Sequence, residues 1–140
     1  MVIVYVDMCG DLLHYGHIRF LEKAKKLGDK LIVGIHSDKT IESYKRTPVC
    51  TMEERIELVK SVKWVDEVIE DAPLFITEEY IEKHQIDKIA VPINRTKEEI
   101  EKMCIIPYKK NMLCFIDYTQ KISTSIIINR IKSRTLHNLI

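Results

Sequence analysis

Residues 7–19 read DMCGDLLHYGHIR, and the division of that stretch decides the fold. Ahead of it runs Val2-Ile3-Val4-Tyr5-Val6, apolar on both alternating faces, which is the pattern of a strand buried on two sides. Behind it, from His17 to Leu27, the apolar residues Ile18, Leu21, Ala24 and Leu27 share one helical stripe that Gly28 stops. Asp7 to Arg19 is therefore a strand-to-helix junction that carries two histidines, His14 and His17, around Gly16. In an α/β sheet such junctions collect at the carboxyl edge, where ligands bind.

The same alternation continues outward from this junction. Leu31 to Ile35 (LIVGI) is the second short apolar strand, and Ser37 or Asp38 caps a short helix reaching to about Tyr44. Lys45 to Cys50 (KRTPVC) has no periodicity and contains Pro48, so Lys45 and Arg46 sit on a loop. Thr51 with Glu54 opens a helix to about Ser61, Trp64 to Ile69 is a strand, and Thr77 starts the next helix. Ile86 to Val91 is a strand ended by Pro92, Thr96 with Glu99 opens a helix to about Met103, and Met112 to Ile116 is the last strand. Ser123 caps a final helix whose apolar side is Ile127, Ile128 and Ile131. The expected fold class is α/β: a doubly wound, five-stranded parallel sheet with helices on both faces, one domain over residues 1–140.

Composition limits the function classes. No run of about 20 apolar residues is present, so no membrane span is expected, and the N-terminus lacks the pattern of a secretory leader, which points to the cytoplasm. Cys9, Cys50, Cys104 and Cys114 show no metal-ligand spacing, so reduced thiols and no protein-held metal are expected. Residues 51–103 hold 14 acidic against 8 basic side chains, whereas residues 104–140 hold 6 basic ones against Asp117 alone. That basic end has no aromatic residues interleaved with Lys and Arg, so a small anion is expected there and nucleic acid is not.

The helix starts differ in a way that locates the anion. Those at Thr51, Thr77 and Thr96 place glutamates in their first turn, which satisfies the helix dipole and repels phosphate. Those near Tyr15 and at Ser123 carry no carboxylate there and are rich in His17, Arg19, Ser123, Thr124 and Ser125, all donors to an anion. Two histidines spaced as HxGH also occur as a pair of helix caps. With a buried strand before them and a second open helix start, phosphoryl or nucleotidyl transfer is the better reading.

HxGH after the first strand, ERIELV at Glu54–Val59, WVDEVI at Trp64–Ile69 and ISTS at Ile122–Ser125 together resemble the cytidylyltransferase family, which includes the glycerol-phosphate, phosphocholine and phosphoethanolamine enzymes. The resemblance implies a Rossmann-like nucleotidyltransferase fold and an enzyme that transfers CMP from CTP to a small phosphomonoester, releasing pyrophosphate, with Mg²⁺ held through the nucleotide phosphates. It implies His14, His17 and Lys45 as catalytic residues, and Cys9, Asp11, Gly16, Thr119, Ser123 and Thr124 as nucleotide-binding. Asp38, Arg55 and Asp66 would be substrate-binding, and a homodimer would be the working form.

The chain departs from the family's pattern in three places. The first loop reads Met8, Cys9, Gly10, Asp11, with its glycine displaced by two. Tyr118 stands where the family has a phosphate-clamping arginine, which leaves Lys121 or Arg130 as the replacement charge. Val91, Pro92, Ile93 and Asn94 follow the fourth strand in place of a glycine and acids. These substitutions leave two alternatives beside a CTP-dependent transferase: a nucleotide-binding homologue without turnover, and an enzyme that uses another nucleotide.

Overall fold

The apolar run after Met1 becomes β1 (Ile3–Met8), the central strand of the computed structural model, which describes residues 1–140. Helix α1 (Tyr15–Lys25) returns the chain to β2 (Lys30–Ile35), which pairs in parallel with β1 from Ile3↔Lys30 to Met8↔Ile35. After α2 (Asp38–Glu42) and α3 (Met52–Lys60), β3 (Glu67–Ile69) adds to the outer side of β2. Helix α4 (Glu78–Lys83) then carries the chain back to β4 (Lys88–Pro92) on the other side of β1. Helices α5 (Lys97–Met103) and α6 (Ile105–Lys109) lead to β5 (Leu113–Ile116), and α7 (Thr124–Leu136) follows. The sheet order is β3-β2-β1-β4-β5, all parallel, so the winding reverses between β1 and β4. A crevice opens beyond the strand ends at such a reversal.

Alternation along β1 divides the interior into two cores. Val4 and Val6 pack with Leu21 and Ala24 of α1 and with Ile56 and Val59 of α3. Ile3 and Tyr5 point the other way, to Tyr80 and Ile81 of α4 and Met103 of α5. Each fully buried aliphatic side chain stabilises the fold by about 1.5–3 kcal/mol, enough to fix which face each residue takes. Thr51–Glu54 and Thr96–Glu99 form reciprocal capping boxes, and Thr77 and Ser123 cap α4 and α7.

The structure corrects the boundaries at several points. Helix α1 begins at Tyr15, two residues before His17, because His14 is its cap. Strand β3 is three residues long, since Trp64 and Val65 are spent in a turn. Strand β4 takes in Pro92, which lies opposite Ile116 and needs no donor there because Ile93 supplies the next amide to Ile116 O. Helix α6 has no periodicity long enough to mark it in the sequence. The expected apolar face of α7 does not reach the core: no α7 residue is buried, and Ile131 is 45% exposed.

Candidate active site

Two cavities open at the carboxyl ends of β1, β2 and β4, and they share a wall. The larger, about 750 Å³, lies beside the Cys9–Asp11 loop, Tyr44, the basic loop after α2, and α5. The smaller, about 560 Å³, lies between the start of α1 and the start of α7. Asp7, Met8, His17, Lys45, Arg46, Arg95 and Thr124 line both.

The histidine motif is built by the helix start itself. His14 Nδ1 accepts the Gly16 amide at 3.1 Å, and His17 Nδ1 accepts the His14 amide at 3.1 Å, a capping box made of two imidazoles. The rings lie against each other with centroids 3.9 Å apart, tilted by 36°. Burial pushes His17 down to about 4, assisted by His14 and Lys45 nearby, and burial also lowers His14. Both rings are therefore neutral near pH 7, and a ring nitrogen that accepts cannot also hold the proton. The hydrogen-bond pattern assigns both as Nε2–H tautomers, each with one donor left for a ligand. Capping thus uses one nitrogen of each ring and leaves the other free.

Gly16 is required by this packing rather than by its backbone angle. A Cβ there would come 2.9 Å from His14 Cε1 and 3.1 Å from Ile122 Cγ2. The preceding loop turns through left-handed residues, Gly10 at φ 69° and Leu12 at φ 47°. The displaced glycine occupies one of these, where it carries no strain, whereas Leu12 holds a conformation that costs about 1–3 kcal/mol. Such strain persists where surrounding contacts impose it.

Asp11 imposes one such contact. It is buried, and its carboxylate accepts the amides of Val49 at 2.9 Å and Cys50 at 2.8 Å, fastening the loop that presents Lys45 and Arg46. Burial opposes its charge, but those amides and Arg46 outweigh burial and hold the carboxyl below its usual range. Thr124 Oγ1 donates to Asp11 O at 3.2 Å, which brings the start of α7 against the same loop. Ser123 Oγ accepts the Ile126 amide, leaving its hydroxyl proton for a ligand.

The structure brings nine of the predicted residues together. His14, Gly16, His17, Lys45, Thr119, Ser123 and Thr124 line the smaller cavity, while Cys9 and Asp11 line the larger. Three predicted substrate-binding residues lie elsewhere. Arg55 is fully buried and donates to Cys9 O (2.6 Å), His36 O (2.8 Å) and Asp38 Oδ1 (2.6 Å), so it holds the ends of β1 and β2 from behind the cavity wall. Asp38 is the outer partner in that contact and lines neither cavity. Asp66 accepts the Leu31 amide and pairs with Lys25 at 2.6 Å, at the amino edge of the sheet, opposite the cavities. Its three-residue separation from β3's carboxyl end is hidden in a motif that reads as continuous.

Sequence reasoning missed Asp7, His36 and Arg95. Asp7 Oδ2 and His36 Nε2 are buried without hydrogen-bond partners, 3.5 Å apart, and His36 Nδ1 meets Tyr44 Oη at 2.9 Å. A lone Asp closing an apolar strand was the available signal for Asp7. Arg95 had none. Neither Lys121 nor Arg130, the expected replacement charges, lines either cavity.

A family profile described as cytidylyltransferase-like matches residues 9–130. Ethanolamine-phosphate cytidylyltransferase of Arabidopsis thaliana is 51% identical over 90 residues, covering 61% of this chain and 21% of that one. FAD synthase of Thermococcus sibiricus is 41% identical over 111 residues, 70% of this chain and 75% of that one. A lipopolysaccharide core biosynthesis protein from Thermoplasma volcanium has the same fold, with a TM-score of 0.69 at 24% identity over 87% of this chain and 99% of that one. The chain spans about a fifth to a quarter of the length of the ethanolamine-phosphate relatives it matches. No helix is long and apolar enough to cross a membrane.

Proposed function

This chain belongs to the cytidylyltransferase-like family, and from that premise we propose that it transfers CMP from CTP to a small phosphomonoester, releasing pyrophosphate. The observation that supports this reading is the wall shared by two cavities, with His17, Lys45 and Thr124 on it. One cavity has room for a triphosphate and the other for an acceptor whose phosphate must meet it. An acceptor phosphate oxygen attacks the α-phosphorus, the bond from that phosphorus to the bridging oxygen breaks, and the electron pair leaves with pyrophosphate. No side chain need form a bond, so positioning and charge stabilisation supply the rate.

In this reading the Nε2–H groups of His14 and His17 donate to the phosphate oxygens as charge builds on them. Ser123 and Thr124, with the first amides of α7, hold the outer phosphates. Lys45 places a cation at the junction. Mg²⁺ belongs to the proposal as an ion carried on the phosphate oxygens, where it would neutralise charge. The two helix starts without acidic first turns suit an anion so loaded.

Among the phosphoethanolamine, phosphocholine and glycerol-phosphate classes, phosphoethanolamine fits best. Asp7 lines both cavities, and its buried Oδ2, which makes no hydrogen bond and lies 3.5 Å from His36 Nε2, suits a primary ammonium that can donate to it. The ethanolamine-phosphate relatives point the same way. A second reading, use of another nucleotide, is favoured by Pro92 in the smaller cavity and by the FAD synthase relative. Incubating the protein with Mg²⁺, each of the four NTPs and a panel of phosphomonoesters, and measuring pyrophosphate, separates the two. Release with CTP and phosphoethanolamine is expected. No release from any pair, with nucleotide binding intact, would overturn turnover altogether. The proposal includes a cytoplasmic homodimer without nucleic-acid partners, for which sedimentation would show twice the chain mass.

A further inference from the structure

The two cavities receive anions that must approach within bonding distance, and the charge that permits this has to lie on their shared wall. Near neutral pH the wall's histidine, His17, is uncharged, for it is pushed down to about 4. The fixed cations common to both cavities are Lys45, Arg46 and Arg95. Arg46 lies 4.0 Å from the buried carboxylate of Asp11, and Lys45 sits over the Tyr44 ring at 5.6 Å. Arg95 has no carboxylate within ion-pairing distance. Its side-chain contact is Nη1 to Cys104 Sγ at 3.8 Å, a weak acceptor that leaves most of its five N–H donors unused.

Backbone geometry holds this side chain at the junction. The Arg95 amide bonds to Pro92 O at 3.0 Å, closing a turn directly after β4, and Thr96 then caps α5. The guanidinium thus stands at the carboxyl end of the strand next to β1, at the point where the winding reverses. The one carboxylate that α5 brings to the larger cavity, Glu99, is engaged with the amide and hydroxyl of Thr96 at 3.4 and 3.0 Å. Tyr118, which also lines the smaller cavity, brings no positive charge to it.

We propose that Arg95 is a substrate-contacting residue, its guanidinium bridging the acceptor phosphate in the larger cavity and the nucleotide phosphate in the smaller one. A planar fork with parallel donors suits two oxygens of one phosphate or one oxygen from each of two, which a lysine ammonium does not match. Its positive charge offsets the repulsion between the incoming dianion and the nucleotide. Removing it therefore weakens the binding of either anion and slows their reaction more than it weakens the binding of each alone. This role rests on the transferase reading for its chemistry, but not for its binding component.

The test compares Arg95→Ala and Arg95→Lys with the unaltered protein. Calorimetry gives the affinities for CTP and for phosphoethanolamine separately, pyrophosphate release gives turnover, and thermal unfolding checks the fold. Arg95→Ala should weaken each ligand by about 10-fold and lower turnover by about 100-fold, the range expected for charged hydrogen bonds lost in a desolvated site, with unfolding unchanged. Arg95→Lys should recover affinity more than turnover, since it restores charge but not the fork. Affinities for both ligands within twofold of the unaltered protein would overturn the proposal. If the unaltered protein binds CTP without releasing pyrophosphate, turnover fails as a reading, and the binding data alone still decide the role of Arg95.

Discussion

Replacing Arg55 by methionine removes a buried guanidinium while keeping most of the aliphatic volume. It leaves Cys9 O and His36 O without their donor, and each orphaned buried carbonyl costs about 1–3 kcal/mol. The ion pair to Asp38 adds little, because that carboxylate is 51% exposed and regains water, so about 0–1 kcal/mol is appropriate. Relief of the guanidinium's own desolvation, including its unpartnered Nε, works in the opposite direction. The net loss should be about 3 kcal/mol, which for a domain of this size lowers Tm by about 10 °C. Urea unfolding followed by circular dichroism measures it directly. Arg55→Lys should recover little, since one ammonium cannot reach two carbonyls and a carboxylate in that geometry. A loss below about 1 kcal/mol for Arg55→Met would refute the view that this side chain ties the ends of β1 and β2 together.

Three other predictions concern the histidine motif. His17→Ala should lose about 1 kcal/mol of stability, the value of one cap, but reduce pyrophosphate release by about 10²–10³-fold; equal, modest losses in both would make His17 a cap alone. Gly16→Ala should displace the His14 ring, because its Cβ would lie 2.9 Å from that ring, and turnover should fall with little change in Tm; retained turnover would show that the ring has room to give. His17 has a folded pKa near 4, below its ordinary value of 6.5, so the unfolded chain binds its proton first. Its contribution to stability is therefore complete above pH 6.5 and lost as pH falls through about 4. Proton NMR of the His17 ring should show no titration above pH 5, and a midpoint near 6.5 would contradict its burial.

The fold was legible because its signals are local and redundant. Val2 to Val6 can be buried on both faces only in a central strand, and Thr51, Thr77, Thr96 and Ser123 each announce a helix that the structure contains. The clustering of His14, His17, Lys45 and Ser123 was legible for the same reason, since successive strand ends share one edge. Arg55 and Asp66 were not. An arginine on a helix looks solvent-facing until its acceptors, 19 and 46 residues away, are brought beneath it. Asp66 precedes its strand, and three residues' difference in where β3 begins separates one edge of the sheet from the other. Arg95 belongs to a turn with no periodicity, so nothing short of the folded chain could place it between two cavities. The isoleucines of α7 misled because apolar spacing reports a face, not a partner.

That bare helix has a consequence for ligand binding. The one side-chain hydrogen bond from α7 to the body of the fold is Thr124 Oγ1 to Asp11 O, and none of the helix's residues is buried. Half of the proposed phosphate site therefore rides on an element that the core does little to secure. On the proposed reading, a triphosphate bridging the starts of α1 and α7 supplies some of the adhesion that buried side chains provide elsewhere. Nucleotide affinity and the seating of α7 then become a single equilibrium. Saturation at 100 times Kd would add about 2.7 kcal/mol to the bridged form, so the ligand completes the packing of the helix that receives it.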